Sequence, residues 1–154
     1  MDNSKPPGIR MGQIFVARAL FEHTRNPTEL PPNTPVGELP TTVQVSAGVD
    51  QEEKTGFVSV TVATTPESSG LYRFLIQMIG IMEVVPGAEN LNLQEYVRNW
   101  GPSTLYPFVR EALANLTGRG RFGPVWLQPM NLTPFSEGLA KAAADDKAPP
   151  AGQA

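Results

Sequence analysis

The sequence predicts an α+β fold, in which a four-stranded antiparallel sheet carries two C-terminal helices on one face. The first half of the chain contains runs of β-branched residues joined by short polar turns, a pattern typical of an antiparallel meander. In the second half, apolar residues recur at spacings of three and four, which indicates amphipathic helices. Because the strands precede the helices instead of alternating with them, we expect the helices to pack on one face of the sheet.

Three alternating segments predict the first three strands: 14–23, 42–50 and 57–64. Strict alternation would put the aromatic and small residues of the first strand on one face: Phe15, Ala17, Ala19 and Phe21. In the next two strands, valines alternate with polar residues. Residues 27–40 separate the first two strands and contain five prolines. Because proline lacks a backbone N–H, we expect an extended connection without ladder bonds.

The fourth predicted strand, residues 71–82, is apolar on both faces. One face carries five apolar residues: Tyr72, Phe74, Ile76, Met78 and Met82. The other face carries four: Leu71, Leu75, Ile79 and Ile81. A strand with one solvated face should alternate between apolar and polar residues. We therefore expect a central strand that is covered by helices on one face and by a second subunit or a client on the other.

Two longer helices are predicted after a short helical piece at residues 91–99, which Trp100-Gly-Pro is expected to end. The main helix is expected over residues 103–117. Pro107 would then lie near the first turn, where a missing N–H costs least. The last helix is expected to begin at Thr133, an N-cap residue that is followed by proline.

Composition narrows the class of protein. The 154 residues suffice for one domain with a core, which we place at residues 11–144 between flexible tails at 1–10 and 145–154. The chain has 12 Lys+Arg against 15 Asp+Glu, a balance that argues against nucleic-acid binding. It has no cysteine, no run of eighteen apolar residues and no apolar centre of a signal peptide near its start. We therefore expect a cytoplasmic protein without a membrane span.

The motifs of common catalytic sites are missing from the sequence. A single histidine, His23, leaves no histidine cluster for zinc, and we expect it to be a polar residue at a strand end. No Gly-x-Ser-x-Gly, phosphate-binding loop or dinucleotide fingerprint occurs. We therefore expect no catalytic residues, no metal, no cofactor and no enzymatic activity.

Aromatic residues and methionine cluster in the proline-punctuated parts of the second half: Trp100, Tyr106, Phe108, Trp126, Met130 and Phe135. Irregular backbone tends to lie at the surface. Apolar side chains there suggest a groove for an extended apolar segment, and methionine suits varied partners because its side chain is flexible.

Three segments give the chain a family resemblance: GIMEV (80–84), TLYPFVREALANLTGRGRF (104–122) and LQPMNLTPF (127–135). They resemble the SecB family of bacterial protein-export chaperones, and the predicted order of strands and helices agrees with that family over roughly 11–140. The resemblance implies a homotetramer, built as a dimer of dimers with long helices between two sheets. It also implies an ATP-independent holdase that binds unfolded precursor proteins for export.

The resemblance also implies residue roles. By this resemblance, apolar residues of the second strand, the main helix and the last helix would line the client-binding groove: Val43, Val45, Ala47, Phe108, Phe135 and Leu139. Trp126 and Met130 from the proline-punctuated connection complete the expected client-binding set. Three residues of the fourth strand would face the helices and the oligomer interface: Phe74, Ile76 and Met78.

The resemblance also implies a partner face, a surface of the sheet that binds another protein. In the family, clients are delivered to the motor ATPase SecA through an acidic outer face of the sheet. The matching positions here are Arg18, Glu22, Arg73 and Leu75, of which only Glu22 is acidic. Two alternatives stay open. One alternative to the general holdase is a dedicated chaperone for one client, such as an antitoxin or a specialised secreted protein, which acts without SecA. The other is a structural or interaction protein that binds a folded partner.

Overall fold

The computed structural model describes residues 8–147, without the side chains of residue 140 and of residues 142–147. It contains four strands: β1 (Ile9–His23), β2 (Thr41–Val49), β3 (Thr55–Thr64) and β4 (Tyr72–Val84). Three helices follow: α1 (Leu93–Asn99), α2 (Gly101–Thr117) and α3 (Thr133–Lys147). The α+β prediction is confirmed, with the short helical piece present as α1.

Regular structure extends past the expected domain bounds of 11–144. Strand β1 begins at Ile9 and α3 runs to Lys147. The outer parts of the two expected tails, residues 1–7 and 148–154, lie outside the described residues.

The sheet is antiparallel with the strand order β1-β4-β3-β2. Strand β4 is an inner strand that pairs with β1 on one side and β3 on the other. This position agrees with its apolar residues, because an inner strand has neighbours along both edges and little contact with water. Among the described residues, β1 and β2 each keep one edge without a strand partner.

The core lies between the inner face of the sheet and the helices α1 and α2. Valines of β3 and large residues of β4 form its floor: Val58, Val60, Val62, Phe74, Ile76 and Met82. Apolar residues of the helices cover it: Leu93, Val97, Leu105, Val109 and Leu113. Gly101 lets the start of α2 approach β3, since a Cβ there would lie 3.2 Å from the Cβ of Val58. Burial of these side chains supplies the main stabilisation, at about 1.5–3 kcal/mol for each.

Strand β1 does not alternate strictly, so the predicted common face of its aromatic and small residues is wrong. Its pairing with β4 shifts between Met11 and Gln13 and again between Val16 and Arg18. Phe15 lies opposite Ile79, whereas Phe21 lies opposite Phe74 on the inner face. An inserted residue at a bulge moves the following side chains to the other face. Phe15 therefore belongs to the outer face.

The start of α2 also differs from the prediction. The Trp100-Gly-Pro sequence was expected to lie before the helix, but Trp100 is the N-cap residue and Pro102 lies in the first turn. Pro107 is consequently inside the helix instead of near its start. Its ring is exposed, and α2 continues past it to Thr117.

We expect Phe74→Ala to lower the free energy of unfolding by about 3–5 kcal/mol, because the 1% exposed ring leaves a cavity in the core. The control is Phe15→Ala, at a ring that is 38% exposed on the outer face, which should cost less than about 1 kcal/mol. Urea unfolding followed by circular dichroism measures both. Equal losses would contradict the assignment of Phe74 to the core.

Candidate functional site

The connection between α2 and α3 includes a crossing segment, residues 121–132, that has almost no regular secondary structure. Side chains of the sheet and of α2 hold its backbone. The hydroxyl of Tyr72 donates to the carbonyl oxygen of Gly123 and accepts from the N–H of Phe122, both at 2.9 Å. Because Tyr72 is fully buried on β4, it ties the start of the segment to the sheet.

Three residues of α2 hold the middle of the crossing segment. The Oγ1 of Thr117, which is fully buried, accepts from the N–H of Val125 at 2.8 Å and donates to the carbonyl of Leu113. The Nε of Arg110 donates to the carbonyl oxygen of Leu127 at 2.8 Å. The hydroxyl of Tyr106 donates to the carbonyl oxygen of Gln128 at 2.8 Å. These bonds replace a strand ladder, so an irregular segment has a defined position.

The two tyrosines stay neutral donors at neutral pH. Burial raises the pKa of Tyr72, and the hydrogen bond from the Phe122 N–H partly opposes this. Burial also raises the pKa of Tyr106, and the positive charge of Arg110 partly opposes it. Both shifts move ionisation further above neutral pH, so neither hydrogen bond to the crossing segment depends on pH there.

His23 lies at the start of the crossing segment and has a structural environment. Its ring packs against the rings of Phe21, Tyr72 and Phe122, with centroids 5.4–5.8 Å apart. Its Nε2 accepts from the backbone N–H of Arg121 at 3.2 Å. This contact links the end of β1 to the turn after α2.

A first pocket of about 280 Å³ lies between the crossing segment and the start of β2. Trp126 and Met130 lie on the crossing-segment side, and Leu39 and Thr41 lie on the β2 side. The other lining residues are Phe74, Tyr106, Val125, Leu127, Gln128 and Pro129. Among the described residues, none that lines this pocket is charged, so a charged group would lose hydration there without gaining a partner from them.

A second pocket of about 480 Å³ lies at β2, and its described lining residues are likewise uncharged. Val43, Val45 and Phe135 line it together with polar residues of β2, β3 and β4: Gln44, Ser46, Ser59, Thr61 and Gln77. The polar residues belong to the outer face, because Gln44 lies opposite Thr61 and Thr61 opposite Gln77. Val43 and Val45 lie opposite the inner-face residues Val62 and Val60, so the second pocket has members from both faces of the edge strand β2.

We call the two pockets and the free edge of β2 between them the edge site. Six of its apolar members come from the connection before β2, from β2, from the crossing segment and from α3: Leu39, Val43, Val45, Trp126, Met130 and Phe135. Successive side chains of an extended segment point in opposite directions. A segment that paired with the free edge of β2 could therefore present alternate side chains to the two pockets.

Comparison with protein-family models places this chain in one family. The model of the family described as preprotein translocase subunit SecB matches residues 2–138. The chain belongs to the SecB family. The protein-export protein SecB of Haemophilus ducreyi is 35% identical over 74 residues, which cover 47% of this chain and 42% of that protein. The protein-export protein SecB of Actinobacillus succinogenes is 33% identical over 76 residues, covering 48% and 45%.

The matched part of the chain thus spans less than half of the length of these SecB relatives. A solved structure shares the fold over a larger part. The SecB-like chaperone of Mycobacterium tuberculosis, in complex with a ChAD peptide from the HigA1 antitoxin, superposes with a TM-score of 0.55. It is 15% identical, and the match covers 80% of this chain and 91% of that chain. At this identity the likeness concerns the SecB-like fold.

The structure brings together five of the eight residues expected in the client groove of a SecB protein. Trp126 and Met130 line the first pocket, and Val43, Val45 and Phe135 line the second. The other three line neither pocket: Ala47, Phe108 and Leu139. Phe108 is exposed on α2, and Ala47 and Leu139 are half-buried.

Sequence reasoning missed Leu39 and Thr41. They end the proline-rich connection and begin β2, and the apolar Leu39 next to the strand start was the available signal. It was not used because a proline-rich connection is expected to be solvated. In the structure, Leu39 packs against the core cluster.

The residues expected at the oligomer interface, Phe74, Ile76 and Met78, are buried in the core of this chain. They face the helices, as expected, because they lie on the inner face with Val60 and Val62 opposite. Less than a tenth of each side chain is left for contact with a second copy. A second copy would therefore contact other, exposed residues of this chain.

The four residues at the family's partner face lie together on the outer face of β1 and β4. Glu22 lies opposite Arg73 and forms an ion pair with it. Arg18 lies opposite Gln77 and forms no ion pair with the side chains that the structure describes. Leu75 lies between these two rungs, opposite Leu20. The one acidic side chain of this set is thus neutralised by its neighbour.

Within the described part of the chain, no group of three His, Cys, Asp or Glu side chains is arranged to hold a metal ion. In the same part, no helix has the length and apolar character needed to cross a membrane.

We expect Thr117→Val to loosen the crossing segment, because the N–H of Val125 loses its acceptor. Unfolding should become easier by about 1–3 kcal/mol, the cost of a buried unsatisfied group. Hydrogen exchange of the Val125 amide should rise at least tenfold.

The matched control is Thr104→Val, since Thr104 also donates to the carbonyl four residues earlier but accepts from no backbone N–H of the crossing segment. It should change stability by less than about 0.5 kcal/mol. Unchanged exchange at Val125 in the Thr117 variant would show that this bond does not fix the segment.

Proposed function

We propose that this chain is an ATP-independent holdase that binds unfolded precursor proteins for export, and that the edge site is where they bind. The observation that carries the proposal is a pair of pockets at β2, a strand with a free edge. The described residues of the first pocket are mainly apolar, and those of the second are three apolar and five polar, uncharged residues. Such a site suits an extended apolar chain and no particular small molecule. Membership of the SecB family supports the same reading.

Three features of the edge site favour unfolded over folded clients. Unpaired N–H and C=O groups along the edge of β2 can bond to any extended backbone, whatever its sequence. Trp126 is exposed and offers a large apolar surface, and Met130 adapts its shape to different side chains. The absence of charge in both pockets selects against solvated, charged segments, which folded proteins keep at their surfaces.

Binding without nucleotide follows from the same features. Affinity arises from apolar burial and backbone hydrogen bonds, neither of which needs an energy source. Release would then depend on the client folding or on a second protein, for which SecA is the family's candidate.

We propose further that the chain assembles as a homotetramer built from two dimers. Strand β1 supports this, since its free edge is long and its main contacts within the chain are with β4. Val16 and Ala19 are exposed although they pair with the inner-face residues Met78 and Ile76. An uncovered inner face beside a free strand edge is suited to a second copy.

A dedicated chaperone for one client is the second candidate. The Glu22–Arg73 ion pair and the nearby Arg18 favour it, because they remove net negative charge from the face that delivers clients in the family. The SecB-like chaperone of the same fold that was solved with an antitoxin peptide gives a precedent for a narrow client. Client range separates the candidates: a general holdase binds many unfolded chains, and a dedicated one prefers a single protein.

The holding assay dilutes guanidinium-unfolded citrate synthase into buffer with this protein and without nucleotide. We expect turbidity to be suppressed at about one tetramer per client chain. Trp126→Asp should weaken client affinity at least about tenfold, because the charge would lie in the first pocket. Phe108→Asp tests whether the site extends onto α2, and we expect it to lower client affinity less than Trp126→Asp does.

The matched control is Trp100→Asp. Trp100 is 61% exposed, like Trp126 at 63%, but it lines neither pocket. Its variant should suppress turbidity like the unchanged protein. Equal losses in both tryptophan variants would reject the edge site. No suppression by the unchanged protein would reject a general holdase and leave the dedicated chaperone to be tested with single clients.

The assembly proposal is tested by light scattering after size exclusion. Val16→Asp should lower the molar mass, because a charge would be buried between the inner faces of two β1 strands. Leu20→Asp is the control, since both side chains are 47% exposed on the same strand but Leu20 lies on the outer face. A tetramer that persists in the Val16 variant, or a monomeric unchanged protein, would contradict this arrangement.

A further inference from the structure

One rung of the sheet, formed by His23 and Tyr72, binds two consecutive N–H groups at the start of the crossing segment. His23 ends β1 and lies directly opposite Tyr72 of β4. The Nε2 of His23 accepts from the backbone N–H of Arg121 at 3.2 Å. The hydroxyl of Tyr72 accepts from the next N–H, that of Phe122, at 2.9 Å. The start of the crossing segment is thus attached to both strands of this rung.

The turn after α2 lies close against the rings around this rung. A Cβ at Gly120 would come within 2.5 Å of the Tyr72 hydroxyl oxygen and within 2.7 Å of a ring carbon of Phe21. The half-buried ring of His23 contacts the rings of Phe21, Tyr72 and Phe122. These contacts hold the imidazole beside the turn, so the bond to the Arg121 N–H has a defined geometry.

Arg121 also connects the two walls of the first pocket. Its Nε donates to the carbonyl oxygen of Leu30, in the proline-rich connection, at 3.0 Å. That connection continues to Leu39 on the β2 side of the pocket, and the crossing segment continues from Arg121 to Trp126 on the other side. The contact between His23 and Arg121 therefore lies where both walls are attached to the end of β1.

Only one of the two acceptors on this rung belongs to a residue type that gains a proton near neutral pH. Histidine changes charge between about pH 8 and pH 5. The neutral ring can accept at Nε2, but the protonated ring has a donor there. Two donors, the Nε2–H of His23 and the N–H of Arg121, would then face each other. The hydroxyl of Tyr72 does not change, because burial raises its pKa further above neutral pH.

The segments around His23 offer no carboxylate to a charged imidazole. Glu22 lies on the opposite face of the sheet and pairs with Arg73, and Glu29 accepts from the side chain of Asn26. The other ionisable groups of these segments are neutral or positively charged: Tyr72, Arg25, Arg119 and Arg121. Among the described side chains, none forms an ion pair with His23. A half-buried imidazolium without a counter-charge is poorly stabilised, so protonation favours opening of this contact.

We propose that the contact between His23 and Arg121 is a pH-sensitive switch for the first pocket of the edge site. The neutral imidazole holds the start of the crossing segment on β1. Protonation in acid releases the Arg121 N–H and loosens this start, while Tyr72 and Thr117 keep the segment attached. Apolar clients then bind less tightly, because a loosened wall must be ordered on binding. The effect on clients rests on the proposed function, whereas the effect on the segment does not.

NMR of the full chain tests the switch without any client. Between about pH 7.5 and about pH 5.5, the Arg121 amide signal should follow the titration of the His23 ring. Protection of this amide from hydrogen exchange, corrected for the intrinsic pH dependence, should fall about two- to tenfold, the effect of one hydrogen bond on an equilibrium. The Thr104 amide, which donates to the Trp100 carbonyl within α2, is the internal reference and should keep its protection.

Two substitutions separate the proton from the side chain. His23→Gln supplies an amide oxygen in place of Nε2 and cannot titrate, so Arg121 should be equally protected at both pH values. His23→Phe keeps an aromatic ring but has no acceptor, so Arg121 should have the lower protection at both. Because position 23 is only half-buried, we expect both variants to fold, which circular dichroism checks.

Client binding is measured by fluorescence anisotropy with a labelled, capped apolar peptide that has no ionisable side chain, so that only the protein changes charge. The affinity of the unchanged protein should fall about threefold at the lower pH, and that of the His23→Gln variant should stay constant. If the peptide bound at neither pH, the proposed client site would be rejected, while the Arg121 amide would still decide whether the switch exists.

Three outcomes would overturn the switch. Protection of the Arg121 amide could be the same at both pH values. The His23→Gln variant could respond to pH as strongly as the unchanged protein, which would assign the change to another group. Finally, Arg121 could be better protected in acid, which would show that the surrounding rings stabilise the imidazolium where it is.

Discussion

Strand β4 is apolar on both faces, and the helices α1 and α2 cover its inner face. On the inner face, Phe74 and Ile76 are sealed by α1 and α2 together with the valines of β3. That packing places the end of α2 against Tyr72, and hence the crossing segment over the core. On the outer face, Leu75, Ile79 and Ile81 stay only half-buried. The inner face of β4 thus forms the core, and its half-buried outer face remains available for contact with other proteins.

The crossing segment shows how an irregular stretch can carry a binding surface. Its backbone is held by hydroxyl and guanidinium groups of Tyr72, Tyr106, Arg110 and Thr117. These donors and acceptors are spread along the segment, so the exposed Trp126 projects from a fixed backbone. An apolar surface that must accept varied chains needs this combination, because a mobile segment would lose more conformational entropy on binding.

The edge site and the outer face of β1 and β4 differ in charge. The edge site is uncharged, which suits apolar chains of any sequence. Among the side chains that the structure describes, the outer face carries two internal ion pairs, and Arg18 belongs to neither. Membership of the SecB family is consistent with an apolar client site. Of the four positions that match the family's acidic face, only Glu22 is acidic, and Arg73 pairs with it.

Local patterns were enough to predict the four strands, the helices and their order, because alternation and helical spacing report which residues face a core. The same patterns identified Trp126, Met130 and Phe135 as surface apolar residues. They could not predict the bulges that turn Phe15 outward, the contribution of Leu39 to the first pocket or the complete burial of Phe74 and Ile76 within one chain. Those features depend on strand register and on helix placement, which arise from contacts between residues far apart in the sequence.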